Sequence, residues 1–371
     1  MLDAPFLGLL EAAAAEWEVP AVAVGVSIGG EEEVAGIGCD PDTRFRIASI
    51  TKTFTALLAL DLLSLEERTG VWAPDVRVRH LLSHTSGYAS EVEDYSSAEQ
   101  LAEQLPRVRR WLGTEQAWSY SNVGYALAGL LCARAADASF DDALAARVIA
   151  PLGLEATSFG EPELAGTGLD AKEEPYPAAR HPSGGLVSNV RDLLRFGLRV
   201  LEVPRLRIVH GKPVAGVYGL GLAGERVGGV DVWGHSGSWG GFQCSLLTIP
   251  DRDAVFVGLT NGSRGAKALW EAEQELFRRV LKAERVLRPT ITLPRPTLES
   301  FAGTFANSDG WYEVDALAAK LAVTIDDERY QARPIAERTF EIVGGYRVRE
   351  RFDFPREGFA RISSRLAERV A

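Results

Sequence analysis

Three cysteines in 371 residues, Cys39, Cys132 and Cys244, are too few and too irregularly spaced for a disulfide framework or a metal cage. They read as free, buried thiols. No apolar run approaches the ~20 residues that a membrane-spanning helix needs. Positive charge is short too: Lys and Arg total 40 against 51 Asp and Glu, a formal net charge of −11. That sign excludes a broad nucleic-acid footprint and any attraction to an anionic membrane. Lysine itself is scarce, six against 34 arginines. A GC-rich genome produces that bias, and it leaves each Lys easy to scrutinise. Asp3 and Glu11 stand where a leader peptide would carry positive charge. The stretch from Phe6 to Trp17 therefore reads as an amphipathic first helix, and the protein as cytoplasmic.

What is present describes a globular chain with a sizeable core: 46% hydrophobic and 25% charged residues. Ala21 to Ile28 is a buried-strand run, Gly29-Gly30 a turn, and Glu33 to Gly38 a returning strand. Ser49 opens a helix whose apolar positions Phe54, Leu57, Leu58, Leu62 and Leu65 carry it to about Glu67. Short helices and Gly/Pro loops fill residues 70–205, the clearest being Tyr125 to Ala136 and Val190 to Leu201. Strands resume at Val230 to Trp233, Phe242 to Ile249 and Ala254 to Leu259, and an amphipathic helix follows over Ala266 to Glu284. This order predicts an α+β fold: an antiparallel sheet completed by distant parts of the chain and flanked by helices, with a helical subdomain (about 50–205) inserted. The expected partition is a main domain over 1–285, a Pro-rich linker over 286–300, and a small all-β appendage over 301–371. The appendage is expected to have strands at Leu321 to Ile325, Thr339 to Val343 and Tyr346 to Phe352.

Three motifs fail on context. Gly25-Val26-Ser27-Ile28-Gly29 matches a nucleophile elbow, but a Gly-Gly turn follows it instead of a helix. Gly219-Leu220-Gly221-Leu222-Ala223-Gly224 matches the dinucleotide fingerprint, but it too precedes a strand-like stretch. His80 and His84 have zinc-protease spacing, but residue 81 is Leu where the general-base Glu belongs. No metal site is expected.

Ser49-Ile50-Thr51-Lys52 is the stronger signal. Lys52 lies one helical turn from Ser49 on the same face, where a desolvated amine can take the hydroxyl proton. The N-terminal partial charge of the helix and the N–H of Ser49 can meet the oxygen of an attacked carbonyl. Tyr120-Ser121-Asn122 follows just ahead of an apolar helix, and His235-Ser236-Gly237 at a strand pair. Singly these read as a helix cap and a strand end; in this order they form a set.

The set resembles the motifs of the serine β-lactamase and penicillin-binding protein superfamily. The similarity is to the branch holding class C β-lactamases, D-Ala-D-Ala carboxypeptidases, D-aminopeptidases and lactamase-like esterases. Phe45-Arg46-Ile47-Ala48, His80-Leu81-Leu82-Ser83-His84-Thr85-Ser86-Gly87, Pro182-Ser183-Gly184-Gly185-Leu186-Val187-Ser188 and Thr260-Asn261-Gly262 extend it over residues 6–285. The resemblance implies a β-lactamase/transpeptidase-like fold, with the tail similar to the small barrel-like modules appended to such enzymes. It implies that Ser49 is acylated and that Lys52 and Tyr120 share the acid and base work. Asn122 would bind a substrate carbonyl, and His235, Ser236 and Gly237 would line the site. The N–H groups of Ser49 and Ser238 would form the oxyanion hole. The order of proton transfer between Lys52 and Tyr120 stays open.

Two departures matter. His235 stands where many relatives carry Lys, so a fixed positive charge for a substrate carboxylate is missing. The hairpin that relatives carry between Glu67 and His80 is compressed to Thr69-Gly70-Val71-Trp72-Ala73-Pro74. The His84 loop reads as structural, and Trp239 and Phe242 as either pocket wall or core. The expectation is a cofactor-free serine hydrolase acting on a small-molecule or short-peptide ester or amide. It would have no nucleic-acid or membrane partner, and its oligomeric state is open. The alternatives are a β-lactamase or D-Ala-D-Ala carboxypeptidase, and a non-catalytic binding or regulatory protein on the same scaffold.

Overall fold

Two apolar runs more than 200 residues apart lie side by side: Val22 pairs with Thr260, and Ile28 with Ala254. In the computed structural model they are β1 (Val22–Ile28) and β9 (Ala254–Thr260), and β2 (Glu31–Ile37) returns along the free edge of β1. The model describes the chain except residues 71–73, 91–94, 106–109, 111, 214–215, 286–287, 309, 345–346, 348–349 and 371. With β5 (Val217–Tyr218), β6 (Ala223–Val227), β7 (Val230–Trp239) and β8 (Phe242–Ile249), the order is β2-β1-β9-β8-β7-β6-β5, antiparallel throughout. Helices cover both faces, so β8 and β9 are buried at every position, and neither shows the apolar/polar alternation of a half-exposed strand.

Helix α1 (Ala4–Glu16) starts at Asp3, whose carboxylate caps the N–H of Phe6 at 3.1 Å, and buries Phe6, Leu10, Ala13 and Ala14 along one stripe. It packs with the last helix of the main body (Gly265–Val280) on one face of the sheet. The other face carries the helical insertion: α2 (Thr51–Leu62), α3 (Val78–Leu82), α4 (Ala98–Gln104), α5 (Asn122–Ala136), α6 (Phe140–Leu144), α7 (His181–Gly184) and α8 (Val190–Leu201), with α9 denoting Gly265–Val280. The insertion is bracketed by a two-stranded ladder of β3 (Phe45–Arg46) with β4 (Val187–Ser188). Helix α8 lies close on the sheet. A Cβ on Gly25 would sit 2.3 Å from Val190 Cγ1, and one on Gly197 2.4 Å from Val255 Cγ1. No helix among the described residues is long and apolar enough to cross a membrane.

Several boundaries differ from the sequence reading. Helix α2 stops at Leu62, not near Glu67, because the chain turns extended at Leu63 and pairs Arg68 with Arg77. It is buried nearly all round instead of being amphipathic, as suits the central helix of a lobe. The compressed stretch keeps a one-bridge hairpin, Thr69 N–H donating to Val76 C=O at 3.0 Å, although residues 71–73 lie outside the described residues. Strand β7 runs on to Trp239, so His235-Ser236-Gly237 lies inside a strand and not at its end.

The C-terminal part closes on itself. Strands β10 (Gly303–Asn307) to β17 (Arg365–Arg369) form an eight-stranded barrel, each paired with the next and β10 with β17. Its interior is filled by side chains including Phe305, Phe340, Phe352 and Phe354. The expected linker over 286–300 is half helix: α10 (Arg295–Phe301) begins within it and drives Leu298 and Phe301 into the barrel core. Of the strand expected at Tyr346 to Phe352, residues 346, 348 and 349 lie outside the described residues, and the observed strand β15 is Arg351–Arg356.

Candidate active site

Ser49 is set by a strained turn. Ala48 has φ of 43°, a left-handed conformation that costs an Ala on the order of 1 kcal/mol. The β3–β4 ladder and the Ile47 N–H bond to Leu186 C=O (3.0 Å) hold it there. Ser49 lies in the following 3₁₀ turn, Ala48–Ile50, which runs straight into α2. The N–H groups of such a first turn have no partner within the helix. Lys52 is fully buried, with Nζ 3.1 Å from Ser49 Oγ and donating to Ser183 C=O at 2.6 Å. The faces of Tyr120 and Tyr125 lie 4.8 Å and 5.5 Å from that nitrogen. The Pro182–Ser188 stretch is thus the collar of α2. Pro182 C=O takes Thr55 Oγ1 at 2.7 Å, and Leu186 N–H reaches Thr51 Oγ1 at 3.2 Å.

Tyr120 completes the triad, its hydroxyl donating to Ser49 Oγ at 2.9 Å. Ser121 is the N-cap of α5, its Oγ accepting from Gly124 N–H at 3.1 Å, so the cap reading of this motif sits beside the contact of Tyr120 with Ser49. Asn122 opens α5, its backbone N–H on Ser90 C=O at 3.0 Å.

The third motif lies on a stretch of sheet edge that has a strand partner on one side only. Strand β6 pairs with β7 only as far as Gly234, leaving His235 to Trp239 bonded on one side alone. Trp239 pairs with Phe242 around a two-residue turn, Gly240-Gly241, with φ of 63° and 84°. Such a turn closes on a mutually bonded pair, and bonded pairs alternate along an antiparallel ladder. Ser236 and Ser238 therefore direct their N–H and C=O groups away from β8, towards the open edge. Gly237 lies against the nucleophile turn, where an added Cβ would sit 2.2 Å from Ile47 C=O. Only Gly lets strand and turn approach this closely.

A family model for beta-lactamases matches residues 8–276. The chain belongs to the beta-lactamase family. Penicillin-binding protein 4 of Amycolatopsis lactamdurans is 26% identical over 364 residues, 80% of this chain and 95% of that one. Among solved structures, SurE with D-Leu aligns over 99% of both chains with TM-score 0.79 at 24% identity. A D-stereospecific amidohydrolase from Streptomyces sp. aligns over 72% of this chain and 97% of its own, with TM-score 0.62 and 25% identity. These relatives place the protein among serine hydrolases with an α+β, transpeptidase-like body.

Within this family member, the surroundings of His235 favour its neutral form. Burial and the ammonium of Lys52 push its pKa down to about 3. Its neighbours define a chain that sequence reasoning missed. Ser121 N–H donates to His84 Nδ1 at 3.0 Å, so neutral His84 carries its proton on Nε2, 3.2 Å from Tyr218 Oη. Tyr218 O–H then faces His235 Nε2 at 3.0 Å, and His235 Nδ1–H faces Ser236 C=O at 2.6 Å. Every group is satisfied with both imidazoles uncharged. His84 is fully buried, its pKa lowered well below the usual range by burial and then by Lys52, and its ring lies 4.3 Å from that of Tyr120. It joins the second motif to the third. Tyr218 carried no signal beyond its place beside the Gly219–Gly224 run. That run serves packing: Gly221, at φ of 69°, accepts from Thr53 Oγ1 at 2.7 Å and lies against Lys52 C=O.

The structure brings Ser49, Lys52 and Tyr120 into direct contact and sets Gly237 against the same turn. Ser27 is a fully buried strand residue of β1. Trp239 and Phe242 divide: Phe242 packs edge-on to Phe45 in the core. Half-buried Trp239 lies 4.6 Å from the guanidinium of Arg46 and 5.0 Å from the ring of Tyr176.

Proposed function

We propose that this serine hydrolase cleaves small esters or D-amino-acid amides and peptides through an acyl-enzyme on Ser49. The carrying observation is the convergence of Lys52 Nζ and Tyr120 Oη on Ser49 Oγ, at 3.1 Å and 2.9 Å. Ser49 Oγ attacks the substrate carbonyl while its proton passes to the Lys52–Tyr120 pair, and the same pair returns a proton to the departing alcohol or amine. The tetrahedral oxyanion sits between the N–H of Ser49, at an open helix start, and the N–H of Ser238, on the unpaired edge of β7. Asn122 holds the acyl-side carbonyl, and His235, Ser236 and Gly237 line the opposite wall. Water then attacks the ester on Ser49 by the reverse proton route.

Neutral His235 supports this substrate class over a β-lactam, because the third motif offers no cation for a lactam carboxylate. Similarity to the Streptomyces D-stereospecific amidohydrolase over nearly all of that chain points the same way. The likeness to a penicillin-binding protein over 95% of its length favours β-lactam acylation as a second reading. A non-catalytic role fits poorly with three reactive groups kept in contact.

Purified protein and Ser49→Ala would be compared on p-nitrophenyl esters, D-amino-acid p-nitroanilides and a chromogenic cephalosporin, with fluorophosphonate adducts read by intact mass. Turnover of the first two classes and one adduct on Ser49 are expected. Absence of any Ser49-dependent turnover or adduct would sink the reading, and faster cephalosporin turnover would move it to the lactamase alternative.

A further inference from the structure

Tyr120 lies on a stretch, Trp118 to Ser121, that belongs to neither helix nor sheet. Its backbone groups must find partners elsewhere. One side is held by the His84 loop: Ser119 N–H donates to His84 C=O, and Ser121 N–H to the His84 ring, both at 3.0 Å. The other side is held by the barrel. Tyr120 N–H donates to Ser364 C=O at 3.0 Å, and Leu366 N–H donates to Ser119 Oγ at 3.1 Å. Arg361 Nη1 donates to Trp118 C=O at 3.1 Å. Arg365 bonds Ser90 Oγ through Nε at 2.7 Å, and its guanidinium lies 5.6 Å from the centre of the Tyr120 ring.

These barrel groups come from one hairpin, β16 (Phe359–Ile362) and β17, joined by Ser363-Ser364 at φ of 47° and 68°. That is a tight two-residue turn, stiff enough to position what it touches. Arg361 is itself locked, its guanidinium on both oxygens of Asp353 at 2.9 Å and 2.6 Å. Three consecutive residues of the body, Trp118, Ser119 and Tyr120, are thus each bonded to this hairpin.

We propose that the barrel is a working part of the active centre: its β16–β17 hairpin holds Tyr120 against Ser49, with Arg361 and Arg365 as positioning residues. The appended domain acts through the backbone of Tyr120 and not by touching the reacting atoms. This rests on Tyr120 taking part in proton transfer. A displacement of about 1 Å at such a group lowers rate by about 10²-fold while leaving substrate binding in place.

The test uses the full-length chain. Ser364→Pro breaks the turn, since Pro cannot adopt φ near 68°. Ser363→Asn with Ser364→Gly preserves the turn. Ser119→Ala and Arg365→Met each remove one tether, Arg365→Lys is the conservative rescue, and Trp311→Ser on the exposed barrel surface is the control. Active sites are counted by end-point fluorophosphonate adduct, and kcat and KM are measured on a p-nitrophenyl ester. Ser364→Pro is expected to lose about 30- to 100-fold in kcat per site, with KM within about threefold. Ser119→Ala and Arg365→Met should lose about three- to tenfold, with Arg365→Lys in between. The Asn-Gly turn and Trp311→Ser should match the parent.

Folded Ser364→Pro turning over at the parent rate per site would overturn the proposal. If that variant does not fold, parent-like rates in both Ser119→Ala and Arg365→Met would do so. Crystal structures of the variants need no turnover: Tyr120 still bonded to Ser49 after the turn is broken would also overturn it. Tyr120→Phe separates the two readings. An inactive Tyr120→Phe beside fully active hairpin variants removes only the role of the barrel, whereas a fully active Tyr120→Phe removes the role of Tyr120 and this proposal with it.

Discussion

The body and the barrel solve the same antiparallel problem in opposite ways. The barrel pairs every strand, β10 with β17 closing the ring, and fills its interior with aromatic side chains. The body leaves β7 half paired, so that His235 to Trp239 keep one row of backbone groups without a strand partner. A closed sheet has no edge and spends its polar backbone on itself. An open edge beside a strained turn keeps donors aimed at a carbonyl. On the proposed reading, chemistry in this protein sits where a ladder is left unfinished. The closed unit takes part, on the proposed reading, through one hairpin: its turn, the N–H of Leu366 and two arginines.

The comparison can be broken from the barrel side by Phe340→Ala. Phe340 is fully buried, within 6 Å of the Phe301, Phe352 and Phe354 rings. The loss should be about 3–5 kcal/mol in the urea transition of the barrel, with little change in kcat while the protein stays folded. From the body side, the handle is His235. Its folded pKa of about 3 lies below the ordinary 6.5, so the unfolded chain takes up a proton that the native state refuses. The stability contributed is complete above about pH 6.5 and is lost as pH falls towards 3, on the order of 5 kcal/mol in all. His84 adds a loss in the same direction. Urea titrations at neutral and mildly acidic pH should show this slope in the parent and a shallower one in His235→Gln.

The edge itself is tested by Gly237→Ala. With a Cβ only 2.2 Å from Ile47 C=O, the strand must back away from the nucleophile turn, and kcat should fall about 10²-fold with the fold retained. The smallest effect is expected from Tyr218→Phe. It removes the hydroxyl joining His84 to His235 and leaves a buried imidazole nitrogen unsatisfied, for about 1–2 kcal/mol by thermal unfolding and a loss of several-fold in kcat. Unchanged stability would show that the two imidazoles are satisfied without it.

Much of the site was legible because its groups are bound by chain chemistry. Ser49 and Lys52 are one helical turn apart, and Tyr120 stands directly before a capped helix, so each motif carries its own geometry. Tyr218 was not legible, being an aromatic beside a Gly-rich run whose partners lie 134 and 17 positions away. Arg361 and Arg365 were less so, since 34 arginines share their composition and only docking selects two of them. Helix ends slipped for a related reason. Periodicity carried α2 on through Leu65, but tertiary pairing of Arg68 with Arg77 ended it at Leu62, and the prolines around α10 masked a short helix as linker.

The sequence by itself determined the α+β body, the family and the three side chains that meet at Ser49, because strand runs, helix spacing and short motifs are local properties that chain geometry converts directly into structure. Tertiary structure alone decided that His235 is uncharged, that β7 presents an open edge, and that the barrel reaches Tyr120. Burial, unpaired backbone and contacts across more than 200 residues exist only once the chain has closed on itself, and no local pattern encodes them.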